Sequence, residues 1–388
     1  VTDAPVYLDY AATTPVDARV AAAMAGCLGV EGVFGNPASL HAFGRAARER
    51  VEQAREQVAR LINASARGLV FTSGATESNN LAILGTARAS RAARGGSGHL
   101  ITARTEHKAV LDPCRRLERE GFEVTYLTPD SQGRIDPLQV RAALRADTLL
   151  VSIMHANNEI GVLQPIEQIL EACHGRGVPL HVDAAQSAGK IEIDLARCPV
   201  DLLSLTAHKL YGPKGIGALH VAPERRAQLQ PLLFGGGQER GLRAGTLPVH
   251  QIAGFGVACE LSQGQLALEP ARIEALRARL WRGLGELGGV LLNGHPTERI
   301  AHILNVSFEG VEGESLLLGM PELAISTGSA CNSDSDEPSY VLIALGRSPQ
   351  LAQSSLRLSL GRFSSERDVD VAIAVIAREL GRLRRVAL

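Results

Sequence analysis

The sequence predicts an α/β protein: a larger domain with a mostly parallel sheet flanked by helices, and a smaller α+β domain. Between residues 69 and 221, short apolar runs rich in β-branched residues alternate with stretches of helical periodicity. That alternation is the signature of successive βαβ units, and hence of a parallel sheet covered on both faces. Near residue 260 the texture changes to longer helical stretches with isolated strands. The length of 388 residues suits two domains. The expected division is 15–260 for the larger domain, and 1–14 with 261–388 for the smaller.

Taken in chain order, residues 40–62 read as one amphipathic helix, with Ala47, Val51, Ala54, Val58 and Leu61 on one face. LVFT (69–72) is a strand before a helix over 76–93. HLITA (99–103) precedes a helix over 107–120, where Val110, Cys114 and Leu117 recur at helical spacing. FEVTYL, a helix near 137–144, TLLVSIM, a helix near 166–174 and VPLHVD continue the alternation, and DLLSLT and IGALHV complete it. LLFGGGQERGLRAGTLP (232–248) is rich in glycine and turn residues and reads as an irregular loop. Helical periodicity resumes over 251–268 and 270–287, with strands at 303–308 and 355–359 and a closing helix over 366–384.

Composition removes several function classes. The 40 basic and 41 acidic residues leave a net charge of -1. This argues against direct bulk binding to nucleic acid, while leaving room for a local basic patch. No run of about 18 apolar residues suggests a membrane span. Residues 1–9 carry Asp3 and Asp9 and lack the basic start of a secretory signal. The six cysteines (Cys27, Cys114, Cys173, Cys198, Cys259, Cys331) are widely separated without a C-x-x-C pair. No paired-cysteine metal site is signalled, and a reducing cytoplasm is the simplest setting. Only four basic residues are lysines: Lys108, Lys190, Lys209 and Lys214. Chemistry that needs a lysine amine has those four candidates.

Three motifs sit where strands end. FTSGATESNN runs from a strand through a glycine turn into a helix start. The first N–H groups of that helix, with the hydroxyls of Ser73 and Thr76, can bind a phosphate, although the same residues also make ordinary caps and turns. No G-x-x-x-x-G-K-[ST] loop occurs, and no strand leads into G-x-G-x-x-G, so nucleotide hydrolysis and hydride transfer lose their usual signatures. LHVDAAQ puts Asp183 at a strand end with Gln186 one turn later; Asp183 is a helix cap or a partner for a ligand cation. TAHKLYGPKG puts Lys209 just past a strand beside Thr206 and His208, as a solvated loop lysine or a Schiff-base former. A lysine amine, a carboxylate for a protonated pyridine nitrogen and a phosphate-binding turn together match the needs of pyridoxal 5'-phosphate.

The segments YLDYAATTP, FGNPASLH, FTSGATESNN, TEHKAVLD, MHANNEIG, HVDAAQ, HKLYGPKG, GGGQERGLRAGTLP, GSACNSDSDEPS and SLRLSLGR span nearly the whole chain. With them the sequence resembles the cysteine desulfurases of the NifS/IscS-like group. That group belongs to the class V aminotransferase family of fold type I pyridoxal phosphate enzymes. The resemblance implies that Lys209 is the Schiff-base lysine and the acid/base at the substrate α-carbon. It implies that Asp183 pairs with the pyridine nitrogen, Gln186 bonds the ring hydroxyl, and His107 stacks on the ring and moves protons. Ala75, Thr76, Thr206 and His208 would hold the phosphate, with Thr246 reaching in from a second subunit. Asn158 and Arg357 would fix the substrate carboxylate, for which a guanidinium fork is well shaped. Cys331 would be the nucleophile that receives sulfur from L-cysteine as a persulfide. Its surroundings, STGSACNSDSDEPS, are small and polar and read as an exposed loop rather than core.

The resemblance also implies a homodimer and a sulfur-acceptor protein, serving iron–sulfur cluster assembly, tRNA thiolation or DNA phosphorothioation. A selenocysteine lyase or a class V aminotransferase, with Cys331 incidental, would use the same cofactor. A docking platform without activity would not need the intact residue set. The sequence departs from the family pattern in places. Thr206 stands where Ser is common, Ala207 where Gly is frequent, and Asn332 where Thr or Ser is usual. The chain ends at Leu388, where many members continue through a tail that docks scaffold proteins, which leaves the acceptor open.

Overall fold

Apolar runs become strands in this chain because both their faces are covered. The computed structural model describes residues 4–327 and 337–386. The first elements are β1 (Val6–Tyr7), α1 (Ala18–Ala25) and α2 (Ala42–Leu61). The alternating region follows as β2 (Leu69–Thr72), α3 (Ala75–Arg94), β3 (His99–Ala103), α4 (Lys108–Arg119) and β4 (Glu123–Leu127). It continues through α5 (Pro137–Ala143), β5 (Thr148–Met154), α6 (Ile166–His174), β6 (Leu180–Asp183), β7 (Leu202–Thr206) and β8 (Gly217–Val221). α7 (Val249–Gln265) closes this half.

Among the described residues, these strands form a seven-stranded sheet in the order β2-β8-β7-β6-β5-β3-β4. The pairs β3–β4, β3–β5, β5–β6 and β6–β7 are parallel, while β8 runs antiparallel to both β2 and β7. The reversal follows from the connection. Residues 207–216 hold only a short 3-10 turn, Ala207–Lys209, and a parallel return needs a crossover of a dozen or more residues. That short reversal is also what places Lys209 at the strand ends.

Alternation along the strands divides the core into two layers. Val70, Leu100, Leu150 and Leu202 pack with Leu81, Ile83 and Val110 of α3 and α4. Phe71, Ile101, Val151 and Leu203 pack on the opposite face with Val51 and Val58 of α2 and Phe255 of α7. Each fully buried side chain of this size contributes about 1.5–3 kcal/mol. α2 and α7 approach closely because Gly256 has no Cβ; one there would sit 2.7 Å from the Ala54 Cα.

A second core surrounds a smaller sheet. α8 (Glu269–Gly285), β9 (Val290–Leu292), β10 (Ile303–Phe308), α9 (Gly313–Leu318), β11 (Leu323–Ala324) and β12 (Ser326–Thr327) lead to it. α10 (Tyr340–Ala344), α11 (Pro349–Gln353), β13 (Ser355–Ser359) and α12 (Glu366–Val386) complete it. Among the described residues, β12-β13-β10-β9 form an antiparallel sheet, and β1 pairs in parallel with β11. Leu8, just past β1, joins Val306, Phe308, Leu356, Val369 and Ile376 in this core. The N-terminal segment then crosses to the larger sheet, so the two cores meet beside the strand ends of the first.

Candidate active site

The carboxyl ends of β2, β6 and β7 open onto a cavity of about 490 Å³. Parallel sheets place ligand sites at these ends. β6 terminates at Asp183, whose carboxylate is held on both sides. Asn79 Nδ2 donates to Oδ2 at 2.7 Å, and the Ala185 amide donates to Oδ1 at 2.9 Å. Asp183 is only 5% exposed, so a cationic partner in the cavity would meet a fixed and poorly hydrated anion. Gln186, one turn on, donates from Nε2 to the Ala11 carbonyl at 2.9 Å.

The phosphate-type turn lies at the end of β2. Gly74, the N-cap of α3, has φ of 150°, a conformation side chains rarely adopt, and offers no capping side chain. The first N–H groups of α3, at Ala75 and Thr76, therefore line the cavity without a side-chain cap. Together with the helix dipole they make an anion site. Gly217 in β8 supports this turn by its lack of a Cβ, which would sit 2.7 Å from the Gly74 Cα.

From β7 the chain passes through Thr206 into the turn carrying His208 and Lys209. The N-terminal segment clamps that turn: the His208 carbonyl accepts from both the amide and the hydroxyl of Thr14 at 2.9 Å. His208 Nδ1 lies 3.2 Å from Thr13 Oγ1. Burial, with the charges of Lys209 and Lys214, pushes His208 down to about 4, so its ring is neutral near pH 7. His107 caps α4, with Nδ1 accepting from the Ala109 amide at 3.1 Å. That bond assigns the hydrogen of the neutral ring to Nε2. Burial first, and the Lys209 charge second, hold His107 below the ordinary histidine range.

The smaller sheet contributes Arg357 from β13. Its Nη1 donates to the Asn158 carbonyl and its Nη2 to Asp9 Oδ1, each at 2.9 Å. Arg357 Nε and Asn158 Oδ1 are buried without a partner. Both residues line the cavity, and buried polar atoms left unpaired at a cavity wall are what a polar ligand satisfies.

A family model described as aminotransferase class-V matches residues 6–371. The chain belongs to that family. Among its relatives, a cysteine desulfurase IscS of Serratia proteamaculans (strain 568) is 56% identical over 381 residues, covering 98% of this chain and 94% of the relative. The solved structure of a NifS-like protein superimposes with a TM-score of 0.90 at 36% identity, covering 98% of this chain and 100% of the other. A structure of SspA in complex with cysteine gives a TM-score of 0.82 at 41% identity, covering 92% of this chain and 99% of the other.

In this class-V family member, the cavity brings together most of the residues singled out in the sequence. Ser73, Ala75, Thr76, His107, Asn158, Asp183, Gln186, Thr206, His208, Lys209 and Arg357 all line it. Thr246 does not; it borders a separate cavity of about 230 Å³ with Asn36, Arg48 and Arg240. Cys331 lies outside the described residues. Sequence reasoning assigned no site role to Asn79 or Thr13, and Lys214 figured there only as one of the four lysines; all three line the cavity. Asn79 carried a usable signal, since a polar residue one turn into a helix at i+3 from Thr76 shares the face of the phosphate-type turn. Lys214 lies on the strand-connecting loop five residues past Lys209 and becomes a wall residue only through the reversal into β8.

The residues present fit pyridoxal phosphate, the cofactor on which enzymes of this family depend. An uncapped helix start suits its phosphate, an anchored carboxylate its pyridine nitrogen, and a lysine amine its aldehyde. Among the described residues, no cluster of three or more His, Cys, Asp or Glu is placed to hold a metal ion. Among them also, no helix is long and apolar enough to cross a membrane.

Proposed function

We propose that this chain is a cysteine desulfurase that uses pyridoxal phosphate to convert L-cysteine into L-alanine, with the sulfur left as a persulfide on Cys331. The observation that carries the reading is one cavity wall joining Lys209, the doubly held Asp183, the uncapped start of α3 and the Arg357–Asn158 pair. The 56% identity to a protein named cysteine desulfurase, and the 41% identity to SspA in complex with cysteine, support the reaction and the substrate.

In this reading Ala75, Thr76, Thr206 and His208 hold the phosphate, Asp183 the pyridine nitrogen, Gln186 the ring hydroxyl and His107 the ring face. When bound, the cofactor supplies an electron sink for negative charge at the α-carbon of an attached amino acid. Lys209 would hold the cofactor through its aldehyde carbon and would take and return the proton at the substrate α-carbon. Arg357 and Asn158 receive the substrate carboxylate, which would satisfy their unpaired Nε and Oδ1. The Cys331 thiolate attacks the substrate sulfur: an S–S bond forms, the Cβ–S bond breaks, and protonation of the remaining carbon skeleton gives alanine. His107, neutral and with its hydrogen on Nε2, presents a donor; taking a proton at Nδ1 would require releasing the Ala109 amide.

The chain acts as a homodimer in this proposal. Thr246 lies outside its own chain's cavity, and Phe34, Leu40, Phe43 and Phe234 leave apolar surface exposed for a second copy. The two separate cores support a division into 15–260 and 1–14 with 261–388. The five described cysteines are free, which suits a reducing cytoplasm. The persulfide passes to an acceptor protein, the common starting point for iron–sulfur cluster assembly, tRNA thiolation and DNA phosphorothioation.

The test is product analysis after the purified chain, cofactor and L-cysteine are mixed. The reading expects alanine in step with sulfide released by an added thiol. Formation of the sulfur-bearing keto acid instead would assign a transaminase, and turnover of selenocysteine alone would assign a selenocysteine lyase.

A further inference from the structure

Glu77 occupies the first turn of α3, so a carboxylate stands beside the turn that would receive a dianionic phosphate. It reaches back to the chain before the helix, where its Oε2 accepts from the Ser73 amide at 2.7 Å. The contact is like the reciprocal half of a capping box but is shifted outward by one residue, because the bonded amide belongs to Ser73 and not to the N-cap Gly74. Glu77 thereby fixes Ser73 and leaves the Ala75 and Thr76 amides for a ligand. Its other oxygen accepts from Arg243 Nε at 3.0 Å. Both side chains are partly buried, 20% exposed for Arg243 and 15% for Glu77.

Arg243 belongs to the glycine-rich loop 232–248, far along the chain from α3. Two features hold it in place. Gly245, at φ of 112°, leaves the guanidinium room, since a Cβ there would come 3.2 Å from Arg243 Nη1. Gln238 Oε1 accepts from the Gly245 amide at 3.0 Å. The loop is thus shaped to present one guanidinium to one carboxylate at the edge of the anion site.

We propose that Arg243 is a positioning residue for the cofactor phosphate, acting through Glu77. It neutralises a carboxylate that would otherwise repel the phosphate, and it holds that carboxylate where it orients the Ser73–Thr76 turn. The proposal rests on the pyridoxal phosphate reading above. It separates two kinds of ligand: binding of pyridoxal phosphate should depend on the brace, and binding of pyridoxal, which lacks the phosphate, should not.

The experiment titrates the full chain, freed of cofactor, with pyridoxal phosphate and with pyridoxal, following absorbance. Arg243→Met should weaken pyridoxal phosphate about tenfold or more, between the size of a fully solvated charge contact and one at a protein surface, and more so at low salt. Pyridoxal affinity should stay within about twofold of the parent, since no phosphate is there to repel. Glu77→Gln with Arg243→Met should recover most of the loss, because the amide still accepts from Ser73 and carries no charge. Arg243→Lys should retain most of the affinity. Equal loss for both ligands, no loss, or a double variant as weak as Arg243→Met would overturn the proposal. A parent chain that binds pyridoxal phosphate no better than pyridoxal would instead overturn the cofactor reading on which it rests.

Discussion

Replacing Glu239 with alanine should destabilise the protein by about 3–5 kcal/mol, the cost of leaving one member of a buried ion pair without its partner. The pair is Arg55–Glu239, with side chains 4% and 2% exposed. Arg55 donates from Nη1 and Nη2 to the two carboxylate oxygens at 2.8 and 2.7 Å. The Phe71 amide of β2 also donates to Glu239 Oε2 at 2.7 Å, and Arg55 lies over the Phe71 ring, 4.6 Å from its centroid. Glu239 and Arg240 sit in left-handed conformations, at φ of 47° and 58°. Each such residue costs on the order of 1–3 kcal/mol when it is not glycine, so the ion pair holds a strained stretch of the 232–248 loop against relaxation. Glu239→Ala removes the constraint and leaves the buried Arg55 charge with only the half-exposed Glu52, 3.2 Å from its Nε, as an ion-pair partner. The assay is urea unfolding followed by far-UV circular dichroism, with trypsin digestion under native conditions to report cleavage after Arg240 and Arg243. The variant should unfold at lower urea and be cut faster in the loop. Arg55→Met combined with Glu239→Leu should regain much of the stability, since no charge is then left buried. An unfolding midpoint and a loop cleavage rate equal to the parent's would show that the Arg55–Glu239 pair does not hold the loop.

Two further outcomes follow from the site. Burial raises the Glu159 carboxyl to about 7, although the Ser339 hydroxyl, 2.5 Å from Oε2, and the Arg357 charge both oppose the shift. The folded protein thus holds this proton more tightly than the unfolded chain. The contribution is complete below about pH 4.5 and lost as pH rises through about 7, by at most about 3 kcal/mol. Glu159→Gln should flatten that decline in unfolding midpoints measured from pH 5 to 8, and an unchanged slope would contradict it. Arg357→Lys should raise the KM for L-cysteine at least about tenfold with cofactor absorbance retained, because an ammonium cannot replace a fork that serves Asn158, Asp9 and a carboxylate together. An unaltered KM would remove Arg357 from substrate binding.

The strand–helix alternation was legible because runs of four to seven mostly apolar residues between turn formers have few other solutions, and the helices expected over 40–62, 76–93 and 107–120 follow from apolar spacing and lie within two residues of the observed 42–61, 75–94 and 108–119. The direction of β8 was not, because alternation carries no sign; only the short 207–216 connection excludes a parallel return. β1, β9, β11 and β12 are too short to show a period. The pairing of Val6 with Leu323 is settled by tertiary packing that no local pattern announces. Within the site, Asp183 and Lys209 were legible because Asp183 ends an apolar strand and Lys209 lies three residues past the end of another. The roles of Asn79 toward Asp183 and of Asp9 toward Arg357 depend on contacts across 104 and 348 residues of chain, and such partners emerge only from the folded arrangement. Glu77 and Arg243 illustrate the same limit, since each alone reads as a solvated charge.

Cys331→Ala decides where the substrate sulfur goes. The variant, loaded with cofactor and mixed with L-cysteine, is assayed for alanine and for protein-bound sulfur while absorbance reports the cofactor. Cofactor absorbance should be unchanged, no persulfide should form, and alanine production should fall to background. Alanine formation at the parent rate would contradict it, because the substrate sulfur would then leave without Cys331.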